Sequence, residues 1–153
     1  MQMVRLIYVS RMSEECDIHA IQQILEVSRK GNRASDITGA LCYDPAFFLQ
    51  CLEGPRTAVN KLYAGIQQDE RHRDAVLLEY CEVEQRLFGD WSMAFLKAQD
   101  VNREVLEKYT AGRKFDPYSM TSDQARDLLV EIVAIAHDHL PKQGMTGSTI
   151  SLR

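Results

Sequence analysis

The chain has 153 residues, enough for one domain with its own core, and its apolar fraction of 45% is ordinary for a globular protein. A formal charge of −4 gives no electrostatic case for nucleic acid or an anionic membrane as partner. No apolar stretch approaches the roughly 20 residues of a membrane helix, and Met1-Gln2-Met3-Val4-Arg5 reads straight into a strand rather than a signal peptide, so a cytoplasmic protein is expected.

In chain order, Val4 to Ser10 reads as a strand, rich in β-branched and aromatic residues. After a polar turn, Asp17 can cap a helix in which Ile18, Ile21, Ile24, Leu25 and Ser28 recur at helical spacing, with Lys30-Gly31 as a stop. Asn32 to Asp36 reads as a polar loop. Ile37 to Tyr43 and Phe47 to Glu53 read as a hairpin turned by Asp44-Pro45-Ala46. Gly54-Pro55 opens a second helix with Val59, Leu62, Tyr63 and Ile66 on its apolar stripe, running into Asp69-Glu70-Arg71-His72. Ala75 to Glu84 is β-prone, Leu87 to Asp90 a loop, and Trp91 to Lys97 a short strand that puts Trp91 and Met93 on one face.

This β-α-β-β-α-β-β order predicts an α+β, ferredoxin-like sheet with two helices on one face and an added strand. Beyond Lys97 come a short helix over Asn102 to Tyr109, a polar connector, and a helix over Ser122 to Leu140 opened by the capping-box sequence Thr121-Ser122-Asp123-Gln124. The expected organisation is a domain over 1–97, a C-terminal helical extension over 98–140 and a frayed tail over 141–153. The long helix's apolar side can cover the open sheet face, serve as an interaction surface, or both.

Cys16, Cys42, Cys51 and Cys81 form no C-x-x-C pair and read as free thiols used as small hydrophobes. His137 and His139 are two apart, not the i, i+4 pair of a helical zinc site, so no metal is expected.

Gln50 is the residue that fits least well. It lies between Phe48 and Leu52 on one strand face, where burying an unpaired amide costs on the order of 1–3 kcal/mol. Either another core side chain satisfies it or a polar ligand does. Tyr8, in the first strand, can meet it, because the first and third strands are neighbours in this plan. A phenol and a carboxamide cannot satisfy all of each other's donors and acceptors, so a third polar partner is expected. A planar ligand could lie between the two helices, gripped by Ile24 and Ile66, with Asn32 at its edge. Taken singly, each residue has an ordinary structural role: Tyr8 as core packing, Asn32 as turn chemistry, Asp69 to His72 as a solvated helix end, Trp91 and Met93 as core.

Five segments at compatible spacing, Leu6-Ile7-Tyr8-Val9-Ser10, Asn32 to Tyr43, Phe48 to Gly54, Asp69 to His72 and Trp91-Ser92-Met93, resemble the BLUF domain, a blue-light sensor that uses FAD. The resemblance covers Val4 to Lys97, and the layout is similar to short, stand-alone BLUF photoreceptors of the PixD type. It implies that Tyr8 donates an electron and a proton to photoexcited flavin and that Gln50 bridges Tyr8 and the flavin edge. It further implies that Asn32 bonds the ring's polar rim, that Ile24, Ile66, Leu41 and Phe48 wall it, and that Lys30, Asp69 and Arg71 contact the ring, ribityl or phosphate parts. Trp91 and Met93 would carry the signal outward. Gly31 and Gly65 stand where some relatives have a polar or basic side chain.

FAD is the implied cofactor, with FMN open because most contacts address the shared ring. The resemblance implies a non-enzymatic receptor acting through a homo-oligomer or through a response-regulator-like or other signalling protein. The rival readings are a cofactor-free interaction module and a small phosphatase-like hydrolase, for which Arg11 is the available arginine.

Overall fold

Strand β1 (Met3–Met12) lies inside the sheet, and its side chains are sorted by parity. Val4, Leu6 and Tyr8 enter one hydrophobic core, whereas Ile7 and Val9 enter another. The computed structural model describes residues 2–14, 16–139 and 149–150. It continues with α1 (Ile18–Ala34), β2 (Thr38–Tyr43), β3 (Phe47–Pro55), α2 (Arg56–Gln68), β4 (His72–Glu82), β5 (Ala94–Lys97), α3 (Arg103–Thr110), α4 (Ser122–His139) and β6 (Thr149–Ile150). The strand order is β4-β1-β3-β2-β5-β6. The first four have the ferredoxin-like arrangement, with β1 antiparallel to both β3 and β4, and β5 adds on parallel to β2.

The two cores lie on opposite faces. Helices α1 and α2 pack with Leu25, Val59 and the half-buried Ile21, Ile24, Leu62 and Ile66 against Leu6, Tyr8, Leu41, Phe48 and Leu52. On the other face α4 lays Leu128, Leu129 and Ile132, all fully buried, over Ile7, Leu49, Cys51 and Leu96. Each such side chain contributes about 1.5–3 kcal/mol through burial. The capping box forms as expected: Thr121 N–H donates to Gln124 Oε1 at 3.0 Å and Gln124 N–H to Thr121 Oγ1 at 3.1 Å. Helix α3 is tied to α4 through Glu131, which accepts from Lys108 Nζ at 2.6 Å and from the Tyr109 hydroxyl.

Several boundaries differ from the sequence expectation. Helix α1 runs through Lys30-Gly31 to Ala34, so Asn32 belongs to its last turn rather than to a loop. Gly31 takes no left-handed conformation; that role falls to Asp36, at φ 58°, and Ser35 N–H caps the helix by bonding Gly31 O at 3.0 Å. Pro55 is the N-cap of α2 rather than a residue of its first turn. Helix α2 ends at Gln68, and His72 begins β4.

The largest difference is at β5, which starts at Ala94, not Trp91. Ladder pairing with β2 begins at Ala40↔Ala94, and just before it Gly39 N–H donates to Trp91 O at 3.2 Å. Outside the ladder, residues two apart need not share a face. Trp91 enters the core under α4, and Met93 enters the core under α1 and α2. Within the terminal stretch expected to be frayed, Thr149–Ile150 pairs in parallel with β5, and the rest of 141–153 lies outside the described residues.

Gly39 permits the close approach at this point. A Cβ there would stand 2.0 Å from Cys51 O and 3.1 Å from the Met93 methyl. Backbone cannot yield as a flexible side chain can, so Gly39→Ala should cost about 2 kcal/mol or more. Urea unfolding at constant slope is the check; an unchanged midpoint would mean that β2 and β3 separate at no cost.

Candidate functional site

Tyr8 and Gln50 face each other across the β1–β3 ladder. Both are buried, at 1% and 5% exposure. The Tyr8 hydroxyl donates to Gln50 Oε1, and Gln50 Nε2 donates to Met93 Sδ at 3.5 Å. The third polar partner expected for this pair is thus a thioether, a weak acceptor. By count, the amide keeps one N–H and one lone pair for something else. Burial, assisted by the nearby Tyr63 and Asp69, pushes the Tyr8 phenol far above its ordinary pKa, so it stays protonated.

Above this pair α1, α2 and the sheet enclose a cavity of about 400 Å³. Its lining includes Tyr8, Gln50, Leu41 and Phe48 from the sheet, Ile24 and Asn32 from α1, Ile66 from α2, and Asp69 and Arg71 from the following turn. Nine of the ten cofactor-contact residues expected from the sequence therefore line one space. Lys30 does not. The residues of α1 that reach the cavity are Ile24, Val27, Ser28, Gly31 and Asn32, and the intervening Lys30 is exposed on another side of the helix. The lysine on the lining is Lys61, from α2.

Asn32 is buried and donates from Nδ2 to Ser92 O at 2.9 Å, which ties the end of α1 to the segment before β5. Gly31 and Gly65 also line the cavity, and a Cβ added at either would meet nothing within 4 Å. Packing does not demand glycine there. The two positions leave the helix surfaces bare toward the cavity.

At the rim Arg71 and Asp69 form a two-pronged pair, Nε to Oδ1 at 2.9 Å and Nη2 to Oδ2 at 2.6 Å. The guanidinium holds the Asp69 carboxyl below the usual range, and the carboxylate raises Arg71 in turn.

His72 is the main residue that sequence reasoning passed over. It lines the cavity, its ring centre lies 4.5 Å from that of Phe48, and Nδ1 shares a 2.8 Å hydrogen bond with the buried Ser10 hydroxyl. Burial lowers its pKa to about 4, so it is neutral at pH 7. Its signal lay in the Asp69-Glu70-Arg71-His72 run, but placing the run at a helix end hid the fact that His72 opens a strand. Ser28 and Leu62 were legible on the helix stripes. Val27, off the stripe and 71% exposed at the mouth, was not.

The site is a cavity between a ferredoxin-like sheet and two helices, with an amide–phenol pair on its floor, mostly apolar walls and a polar rim, the usual make-up of a small-molecule pocket. The chain belongs to the BLUF family, "Sensors of blue-light using FAD", whose family model matches residues 3–94. Photoactivated adenylate cyclase subunit alpha of Euglena gracilis is 30% identical over 155 residues, covering 90% of this chain and 15% of that protein. The blue light- and temperature-regulated antirepressor BluF of Escherichia coli (strain K12) is 32% identical over 111 residues, covering 69% and 28%. The chain thus spans only a small part of these curated relatives. Among solved structures, the photo-activated state of BlsA matches with a TM-score of 0.77 at 27% identity, covering 86% of this chain and 94% of that one. The dark state of BlrB, a BLUF protein, matches at 0.72 and 28%, covering 88% and 96%. No described helix is long and apolar enough to cross a membrane.

The lowered pKa of His72 has a sign that can be checked. Between pH 6.5 and about 4 the unfolded chain takes up a proton that the folded one refuses, so stability falls as pH drops. The slope from this residue approaches about 1.4 kcal/mol per pH unit. Denaturant unfolding at pH 7, 6 and 5 should show it, and His72→Asn should flatten it. An equal slope in the variant would place the titration elsewhere.

Proposed function

We propose that this chain is a blue-light photoreceptor that holds FAD non-covalently in the α1–α2 cleft, with Tyr8 as photochemical donor and Gln50 as the hydrogen-bond switch. The observation that carries the reading is the half-satisfied Gln50 amide, fixed between Tyr8 and Met93 on the floor of a cavity of about 400 Å³. The residues present fit a flavin ring. Ile24, Ile66, Leu41 and Phe48 offer apolar walls, Gln50 and Asn32 offer amide groups at an edge, and the bare surfaces at Gly31 and Gly65 give a flat ring room beside both helices. Asp69, Arg71, His72 and Lys61 supply polar and charged groups toward the rim for the ring's carbonyls and the ribityl phosphate. These side chains address the ring that FAD shares with FMN.

Bound flavin, excited by blue light, supplies a strong one-electron oxidant. Every other role falls to the chain. Tyr8 is a protonated phenol because of its burial, so it can release an electron and then a proton. The proton's path begins at Gln50 Oε1, its hydrogen-bond acceptor. Gln50 has a donor end and an acceptor end, and rotating or tautomerising it changes what it presents both to Tyr8 and to the cavity. Buried walls keep water from competing for these bonds. The lasting outcome is a rearranged hydrogen-bond network, and the output is a population shift between two protein states.

The outward path we favour runs from Gln50 to Met93 and through the backbone of residues 91–93 to Trp91, which packs in the core beneath α4. In this reading residues 1–97 are the sensor, and the helices of 98–140 present the change to a second copy or to a signalling partner. Arg11, which the hydrolase alternative needs, lies 5.4 Å from the Phe47 ring centre and 4.6 Å from that of Tyr118, in contacts that anchor the connector before α4.

Purified protein should be yellow and should show a small, reversible red shift of the flavin band under blue light; a colourless protein that takes up no flavin on refolding would overturn the reading. Tyr8→Phe should keep flavin and lose the normal photocycle, so an unchanged red shift would remove Tyr8 from its role. Gln50→Leu, with no amide left to rearrange, should bind flavin and show no shifted state in difference spectra.

A further inference from the structure

Glu53 is a carboxylate with 0% exposure, three residues beyond Gln50 on β3. Burying such a charge is costly unless it is paired and hydrogen-bonded, and this one is. Oε2 accepts from Arg5 Nε at 3.0 Å, both oxygens lie 2.9 Å from Leu87 N, and Oε1 accepts from Phe88 N–H at 2.9 Å. Leu87 and Phe88 belong to neither strand; they lie in the connection from β4 to β5. Arg86 adds a second strap, donating from Nη1 to Thr38 Oγ1 at 2.9 Å and Glu53 O at 3.2 Å, and from Nη2 to Asp36 O at 2.9 Å.

The connection then runs on from this anchor. Trp91 N–H donates to Phe88 O at 3.1 Å, Trp91 O accepts from Gly39 N–H, Ser92 O accepts from Asn32, and Met93 Sδ accepts from Gln50. Trp91 to Met93 form no ladder pairs, and these bonds tie them to Phe88, β2, α1 and Gln50. Of their tethers, the Gln50–Met93 bond is the one the proposed switch would alter. The anchor at Glu53 is independent of it and strong, because a charged acceptor takes several N–H groups at once.

We propose that Glu53 is a positioning residue: its carboxylate fixes Leu87 and Phe88 and thereby sets the resting place of the Trp91–Met93 segment against Gln50. Its link to signalling rests on the reading of that segment given above, but its structural effect does not. Glutamine in its place keeps one acceptor oxygen and turns an NH₂ group toward N–H donors, so the Leu87 and Phe88 amides cannot all be satisfied.

The test uses the purified full chain in the dark, which separates its failure from a failure of the flavin reading. Trp91 is the chain's one tryptophan, so its emission reports this segment alone. In Glu53→Gln, acrylamide quenching of Trp91 should rise about two-fold or more, and hydrogen exchange should speed up in peptides covering residues 87–93 while β1 and β3 keep their protection. Unchanged quenching and protection would overturn the proposal. So would a loss of protection spread evenly over the sheet, which marks a merely structural charge. Should Glu53→Gln fail to fold, the double variant Arg5→Met/Glu53→Gln, which strands no buried cation, decides by the same criteria.

Discussion

The register between β1 and β3 is the constraint on which the rest of the site depends. It sets Tyr8 opposite Gln50, and a slip of either strand by one residue would turn its member of the pair into the other core and separate the two. Because the pairing is central in the sheet and flanked by Leu6↔Leu52 and Ser10↔Phe48, the whole antiparallel ladder holds two polar side chains in contact. The phenol and the amide then have little freedom except with respect to each other and to what enters the cleft. A site built from loop residues would need other means to fix that geometry; here the backbone ladder supplies it.

The sheet also separates two chemical environments. One core contains polar side chains (Tyr8, Gln50, His72, Ser10), is flanked by helices with bare glycine surfaces, and encloses empty volume. The other, beneath α4, is dominated by Leu, Ile, Val and Ala. The segment before β5 contributes one large side chain to each, Met93 to the first and Trp91 to the second. In our proposal the anchoring of the preceding residues by Glu53 and Arg86 matters because this segment lies outside the ladder with β2.

Much of this was legible in the sequence. Parity within strands placed Tyr8, Phe48, Gln50 and Leu52 together, helix stripes placed Ile24 and Ile66 over them, and the Thr121 to Gln124 pattern marked the start of α4. What stayed hidden depended on partners remote in sequence. Gly31 reads as a helix stop on local chemistry, but the carbonyls of the last α1 turn found partners in Ser35 and Ile37, and the helix continued. Trp91 and Met93 alternate as a strand would, yet pairing with β2 begins only at Ala94, so parity failed for them. The surroundings of Glu53 were invisible because Arg5 lies 48 residues away and its other carboxylate partners, 34 and 35 residues away, are backbone amides that leave no trace in side-chain spelling.

Gln50 has as chain neighbours Leu49 and Cys51, whose side chains belong to the core under α4. The floor of the cleft is therefore the ceiling of the compartment that α4 closes, separated by the thickness of a single strand. A displacement of the β3 backbone by even a fraction of an ångström would be registered in both compartments at once, since close-packed interiors transmit strain rather than absorb it. For this architecture, the distance between the place where light would act and the face where a partner would sense it is set by sheet thickness rather than by the length of any relay.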